Sequence, residues 1–146
     1  MVQELINLYT RDLKKLEDEI VAFKSESNLW KTTGQVKNSA GNLCLHLVGN
    51  LNTYVGKNLG NTGYVRNRDA EFSLKDISKA ELIIKVQDTR NMVQQVLSQL
   101  KPNDLYQNYI EQVFGYEMTT GYFLIHLYGH LSYHLGQINY LRRILE

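Results

Sequence analysis

Between residues 2 and 25 the apolar side chains Leu5, Tyr9, Leu13, Leu16, Ile20 and Phe23 step by four, four, three, four and three. That spacing puts them on one stripe of an α-helix and on neither face of a strand. The chain has a single proline, Pro102, so almost nothing interrupts helices elsewhere. A second helix is expected from Ser39 to about Lys57, where "NLCLHLVGNLNTYV" is apolar over most of its circumference. A third starts at Ser78, with Glu81 three residues on as in a capping box. Its stripe runs through Leu82, Val86, Thr89, Val93, Val96 and Leu100, and Pro102 follows its end. The last helix is expected over 120–145. Residues 26–38, 59–75 and 103–118 read as connections, the last of them open between a short helix and irregular structure.

Four helices and no strand make an all-α fold, a four-helix bundle within one domain over residues 1–146. The connections 59–75 and 103–118 exceed what a tight turn between neighbouring helices needs. Each is long enough to cross a bundle of about 30 Å, so long crossover connections are expected.

Charge excludes some functions. Lys and Arg number 16 against 15 for Asp and Glu, a net charge of +1, and the basic residues are scattered. No nucleic-acid partner is expected from such a balance. The first residues, "MVQELINLYTRDLKKLEDE", lack the apolar core of a secretion signal, and no run approaches the ~20 apolar residues of a membrane span. Cys44 is the only cysteine, so no internal disulfide forms. A cytoplasmic protein is expected.

The chemistry concentrates in "HLYGHLSYHLGQINY", where His126, His130 and His134 stand four residues apart. Imidazoles one helical turn apart can converge on one ion. No glutamate lies inside the pairs, so the pattern is not that of a zinc protease. The ends of the ladder are ~12 Å apart along the axis, too far for all three to share an ion. Phe123, Leu127, Ile138, Leu141 and Leu145 mark the inward face of this helix. His130 and His134 fall in or beside that arc, and His126 lies roughly 90° to its side. The inward pair is the candidate metal site, and a pair of core histidines satisfied by neighbours is the plain alternative.

His46, on the second helix, is the remaining histidine. It sits at the edge of that helix's apolar arc, and periodicity alone does not select it. Cys44 points nearly opposite and reads as a small buried hydrophobe. Asn50 and Gln137 are each either an orienting partner for a ligand or an ordinary polar residue of a helix. Tyr133 and Tyr140 are open between packing and lining a pocket.

A histidine within "SAGNLCLHLVGNL", followed by "GHLSYHLGQI" on the last helix, resembles the DinB-like family of metal-binding bundles. The loop "GYVRNRDAEFS" resembles an uncharacterised bacterial branch of it. The resemblance spans nearly the whole chain. It implies a divalent metal held by His46, His130 and His134, with zinc or nickel first and iron or manganese as further choices. It also implies a homodimer acting on a small-molecule substrate. Some relatives are transferases or isomerases using a low-molecular-weight thiol such as bacillithiol or mycothiol. The expected function is therefore a metal-dependent enzyme, a thiol-dependent S-transferase. A hydrolase using metal-bound water and a non-catalytic binding bundle stand as alternatives. In "YVRNRDAEF", Arg66 or Arg68 is a candidate to bind a carboxylate of substrate or thiol cofactor, and an internal ion-pair cluster with Asp69 and Glu71 is the structural alternative.

Overall fold

The computed structural model describes all residues from 1 to 146. It is all-helical and has no strand. Helix α1 covers Val2–Ala22 and buries Leu5, Tyr9, Leu13, Leu16 and Ile20, the stripe read from the sequence. It stops at Ala22, earlier than the expected 25, because Phe23 turns to an extended conformation and tucks its ring into the core. Partners elsewhere take up the polar backbone groups there. The Lys79 ammonium donates to the Phe23 carbonyl, and the Glu146 carboxylate accepts from the N–H of Lys24 at 2.7 Å.

Helix α2, Ala40–Leu51, is capped by the Ser39 hydroxyl, which accepts from the Asn42 N–H. It continues through a π-helical stretch, Asn52–Lys57, and a closing turn, Asn58–Gly60, before Asn61 takes a left-handed conformation and ends it. The expected helix was regular to Lys57. A π-turn shifts the phase of an apolar stripe, but this segment is apolar over most of its circumference, so periodicity does not register the shift.

A short helix, α3 (Arg68–Ser73), lies inside the connection that the sequence marks as irregular. Six residues are too few to show a period. The signal was local: the Asn67 side chain caps the Ala70 N–H, and Asp69 and Glu71 sit in the first turn. Helix α4 covers Lys79–Ser98 with Ser78 as its cap, and α5 covers Thr120–Leu145 with Thr119 as its cap. Residues 102–119 form a short 3-10 turn, Pro102–Tyr106, and then an irregular strap, which one antiparallel bridge, Asn108 with Thr119, closes.

Side-chain partners fix the helix directions. Tyr9 pairs with Leu124, Asp12 with Tyr128 and Glu19 with Arg142, so α1 and α5 run parallel. Glu17 meets Arg90 while Lys79 reaches Val21, so α1 and α4 are antiparallel. His46 meets His130 while Tyr54 packs on Phe123, so α2 and α5 are antiparallel. Asn52 meets Thr89 and Gly60 meets Val96, so α2 and α4 are parallel. Each of α1 and α2 packs on both α4 and α5, around one continuous core.

This order gives the two long connections different tasks. Parallel α2 and α4 require a chain that travels the length of the helices, and residues 61–78 do so, carrying α3. The strap 99–119 joins antiparallel α4 and α5 and stays at one end, where Asn58 binds both Tyr109 and Glu111. One crossover therefore spans the molecule, where two were expected.

Tyr9 has no exposed surface, and its hydroxyl donates to the Leu124 carbonyl at 2.6 Å, tying the parallel pair. Tyr9→Phe removes that bond and leaves the carbonyl its own helical N–H. A loss of about 1 kcal/mol in urea unfolding is expected, with helical content unchanged.

Candidate metal centre

His46 projects from α2, one turn before Asn50, where Asn42, His46 and Asn50 form a polar seam on an otherwise apolar helix. Burial leaves His46 only 7% exposed. From α5, His130 and His134 reach the same point. The Nε2 atom of His130 lies 3.1 Å from Nε2 of His46 and 3.1 Å from Nε2 of His134. The three ligand atoms fall within 4.8 Å of one another. Nitrogens at ~2.0–2.1 Å from a tetrahedral ion stand about 3.3 Å apart, so the two short separations match ligands of one ion.

The tautomers favour the same conclusion. The Glu71 carboxylate, 3.0 Å away, accepts from Nδ1 of His46, which leaves the Nε2 lone pair free. The Gln137 Oε1 atom, 2.7 Å away, accepts from Nδ1 of His134 with the same effect. Nε2 of His130 thus faces two lone pairs and has at most one proton to offer. Its Nδ1 is buried with no partner. A cation at the convergence point satisfies all three nitrogens, and a hydrogen bond satisfies at most one pair. Burial, then the neighbouring His134 and His46, push His130 down to about pKa 3, and burial also lowers His134. Both are neutral at pH 7, the form that binds metal.

Glu71 is the orienting residue that the sequence reading did not single out. The Glu71 side chain comes from the crossover, 25 residues after His46, and no spacing rule links the two. Burial works to raise its pKa, but hydrogen bonds from His46 and Arg66 hold it below the ordinary carboxylate range. Arg66 grips it with two bonds, Nε to Oε2 at 2.8 Å and Nη2 to Oε1 at 2.9 Å. Asn42 donates to the Glu71 and Leu74 carbonyls and pins α3 from below. Gly49 makes the approach possible: a Cβ there would stand 1.9 Å from Glu71 Oε2. Phe72 packs on the His46 ring at 4.9 Å.

Of the loop candidates, Arg66 is thus committed to an internal ion pair. Arg68 carries its guanidinium over the Phe72 ring, 5.4 Å from its centre. His126 is exposed and stacks beside Phe123 and Phe114, outside the three-histidine cluster. Tyr133 and Tyr140 line an apolar cleft of about 560 Å³ that reaches His134 and Gln137. Asn50 does not orient a histidine; its Oδ1 is buried without a partner. It borders a second cavity, of about 240 Å³, together with His46, His130, Arg68 and His126.

These features define an all-helical protein with three imidazoles placed to bind one metal ion. The chain belongs to the family described as "Protein of unknown function (DUF1572)", which matches residues 2–146. It matches no curated protein. No helix is long and apolar enough to cross a membrane.

Glu71→Gln keeps the shape but removes the charge that holds the His46 tautomer. Zinc affinity is expected to fall by about 10- to 100-fold, measured by competition with a chromogenic chelator. Gly49→Ala is expected to have an effect of the same sign, because the added methyl dislodges Glu71.

Proposed function

We propose that this chain is a metal-binding four-helix bundle of the DinB-like kind. We further propose that it acts as a metal-dependent enzyme, a low-molecular-weight-thiol-dependent S-transferase. The observation that carries the reading is the convergence of three imidazole Nε2 atoms beside a cavity. Three protein ligands leave a coordination position for a reactant, unlike a closed structural site. Zinc and nickel suit three imidazoles best, with iron and manganese next. Such an ion, when bound, supplies Lewis-acid chemistry and holds a thiol as its thiolate at neutral pH.

The protein's own residues prepare the site. Glu71 and Gln137 hold two histidines with Nε2 inward. The crossover covers His46, so that little water reaches it. The thiol reading is preferred to hydrolysis because Glu71 is occupied by His46 and Arg66, and no carboxylate lines the 240 Å³ cavity. A carboxylate base for water is therefore missing at that mouth.

A homodimer is part of the proposal. What supports it is an unpartnered stripe on α5. Tyr122, Ile125, Tyr133, Tyr140 and Ile144 are each more than half exposed, and they share one face with Gly129 and Gly136, which have open space beside them. A second copy of the same helix can approach closely over those glycines. Ile125→Asp is expected to convert a dimer to a monomer in light scattering; a wild type that is monomeric throughout removes this part of the proposal.

Protein purified without a histidine tag should carry one divalent ion per chain. His46→Ala, His130→Ala and His134→Ala should each abolish retention, while His126→Ala retains it. Equal loss at His126 overturns the ligand assignment. A panel of thiols with a chromogenic electrophile should show turnover that needs both metal and thiol. Metal-dependent turnover without thiol would move the assignment to hydrolysis.

A further inference from the structure

We propose that the cavity beside the histidine cluster is a carboxylate-binding subsite, with Arg68 as its anchor and His126 and Asn50 as further polar contacts. The inference rests on the metal-site reading for its place in catalysis, but its own observations are separate.

The 240 Å³ cavity has two cations on its wall, Arg66 and Arg68, and no anion. Arg66 has its charge matched by Glu71, which takes its Nε–Nη2 edge in two bonds. Arg68 is the unspent charge. It is the first residue of α3, and stacking on Phe72 holds its guanidinium at the mouth, with its donor edges open. A planar fork of this kind recognises a carboxylate with two parallel bonds.

The other walls fit the same ligand. The Asn50 residue is 7% exposed, and its Oδ1 lacks a partner, so a polar side chain is buried against this space without a protein group to satisfy it. That acceptor oxygen calls for a donor on the ligand, such as a hydroxyl or amino group carried beside its carboxylate. His126 faces the cavity from α5, outside the metal cluster, and is held by Phe114 at 4.7 Å and Phe123 at 5.9 Å. Those two rings give the remainder of the ligand an aromatic wall. His46 and His130 close the inner end. A small aromatic or apolar carboxylic acid, anchored at Arg68, would therefore extend towards the histidine nitrogens. One free guanidinium matches one negative charge, which favours a carboxylate over a phosphate dianion.

The test compares benzoate with benzamide, which has the same shape and no charge. Binding is measured by NMR titration on metal-free and zinc-loaded protein. Wild type should prefer benzoate by about tenfold in both forms, the scale of one charge-assisted hydrogen bond. Arg68→Gln should abolish the preference, Arg68→Lys should keep part of it, and Lys31→Gln, on the loop after α1, should leave it intact. Zinc retention by Arg68→Gln should equal that of wild type. Equal affinity for the two probes in wild type overturns the subsite. So does an undiminished preference in Arg68→Gln, or loss of zinc by that variant, which would make Arg68 a support of the histidines. If wild type takes up no zinc yet keeps the benzoate preference, the subsite stands and the metal reading fails.

Discussion

The carboxylate of Glu71 is the point on which both the site and the crossover depend. One buried group accepts from His46, is gripped by Arg66 and sits on the bare backbone of Gly49. Remove the histidine, and a buried ion pair is left poorly satisfied. Remove the arginine, and a buried anion lacks its counter-charge, which costs several kcal/mol in comparable cases. The energetic logic is reciprocal: the crossover orients His46, and His46 helps to hold the crossover. Asn42, one turn before His46, completes the clamp by binding the backbone at both Glu71 and Leu74.

The polar seam of α2 follows from this arrangement. Asn42, His46 and Asn50 recur every fourth residue on a helix that is otherwise Leu, Val, Cys, Ala and Gly. Three polar side chains on a buried helix are costly unless each has a task. Asn42 holds the crossover, His46 faces the ion site, and Asn50 borders the cavity. The seam thus runs from the anchor of α3, through His46, to the 240 Å³ cavity.

What was legible in the sequence divides along physical lines. The stripe of α1, the start of α2 at Ser39, the cap Ser78 and the full extent of α5 are local signals, and the structure places these helices close to where periodicity puts them. The inward pair His130 and His134 was readable from the arc of α5. His46 was reached through resemblance, because it lies at the edge of its arc, and convergence of two helices is a tertiary fact. The pairing of Arg66 with Glu71 was one of two readings of the loop, and the structure adopts it; that Glu71 also orients His46 was not readable. That role depends on where an aperiodic segment lands, and no local propensity encodes it. The parallel sense of α2 and α4 was equally hidden, since loop length permits a crossover without requiring one.

That parallel sense is what gives the molecule its cavity walls. Had α2 and α4 been antiparallel neighbours, a short turn would have joined them, and the histidines would have had no cover on that side. Because α2 and α4 run the same way, the chain must return the full length of the helices. It passes over His46 on the way and carries Arg66, Arg68, Glu71 and Phe72 with it. The strap at the other connection adds Phe114 from the opposite side. The helices supply the ligands, which need rigid placement. The two irregular segments supply the charge and the aromatic wall beside them.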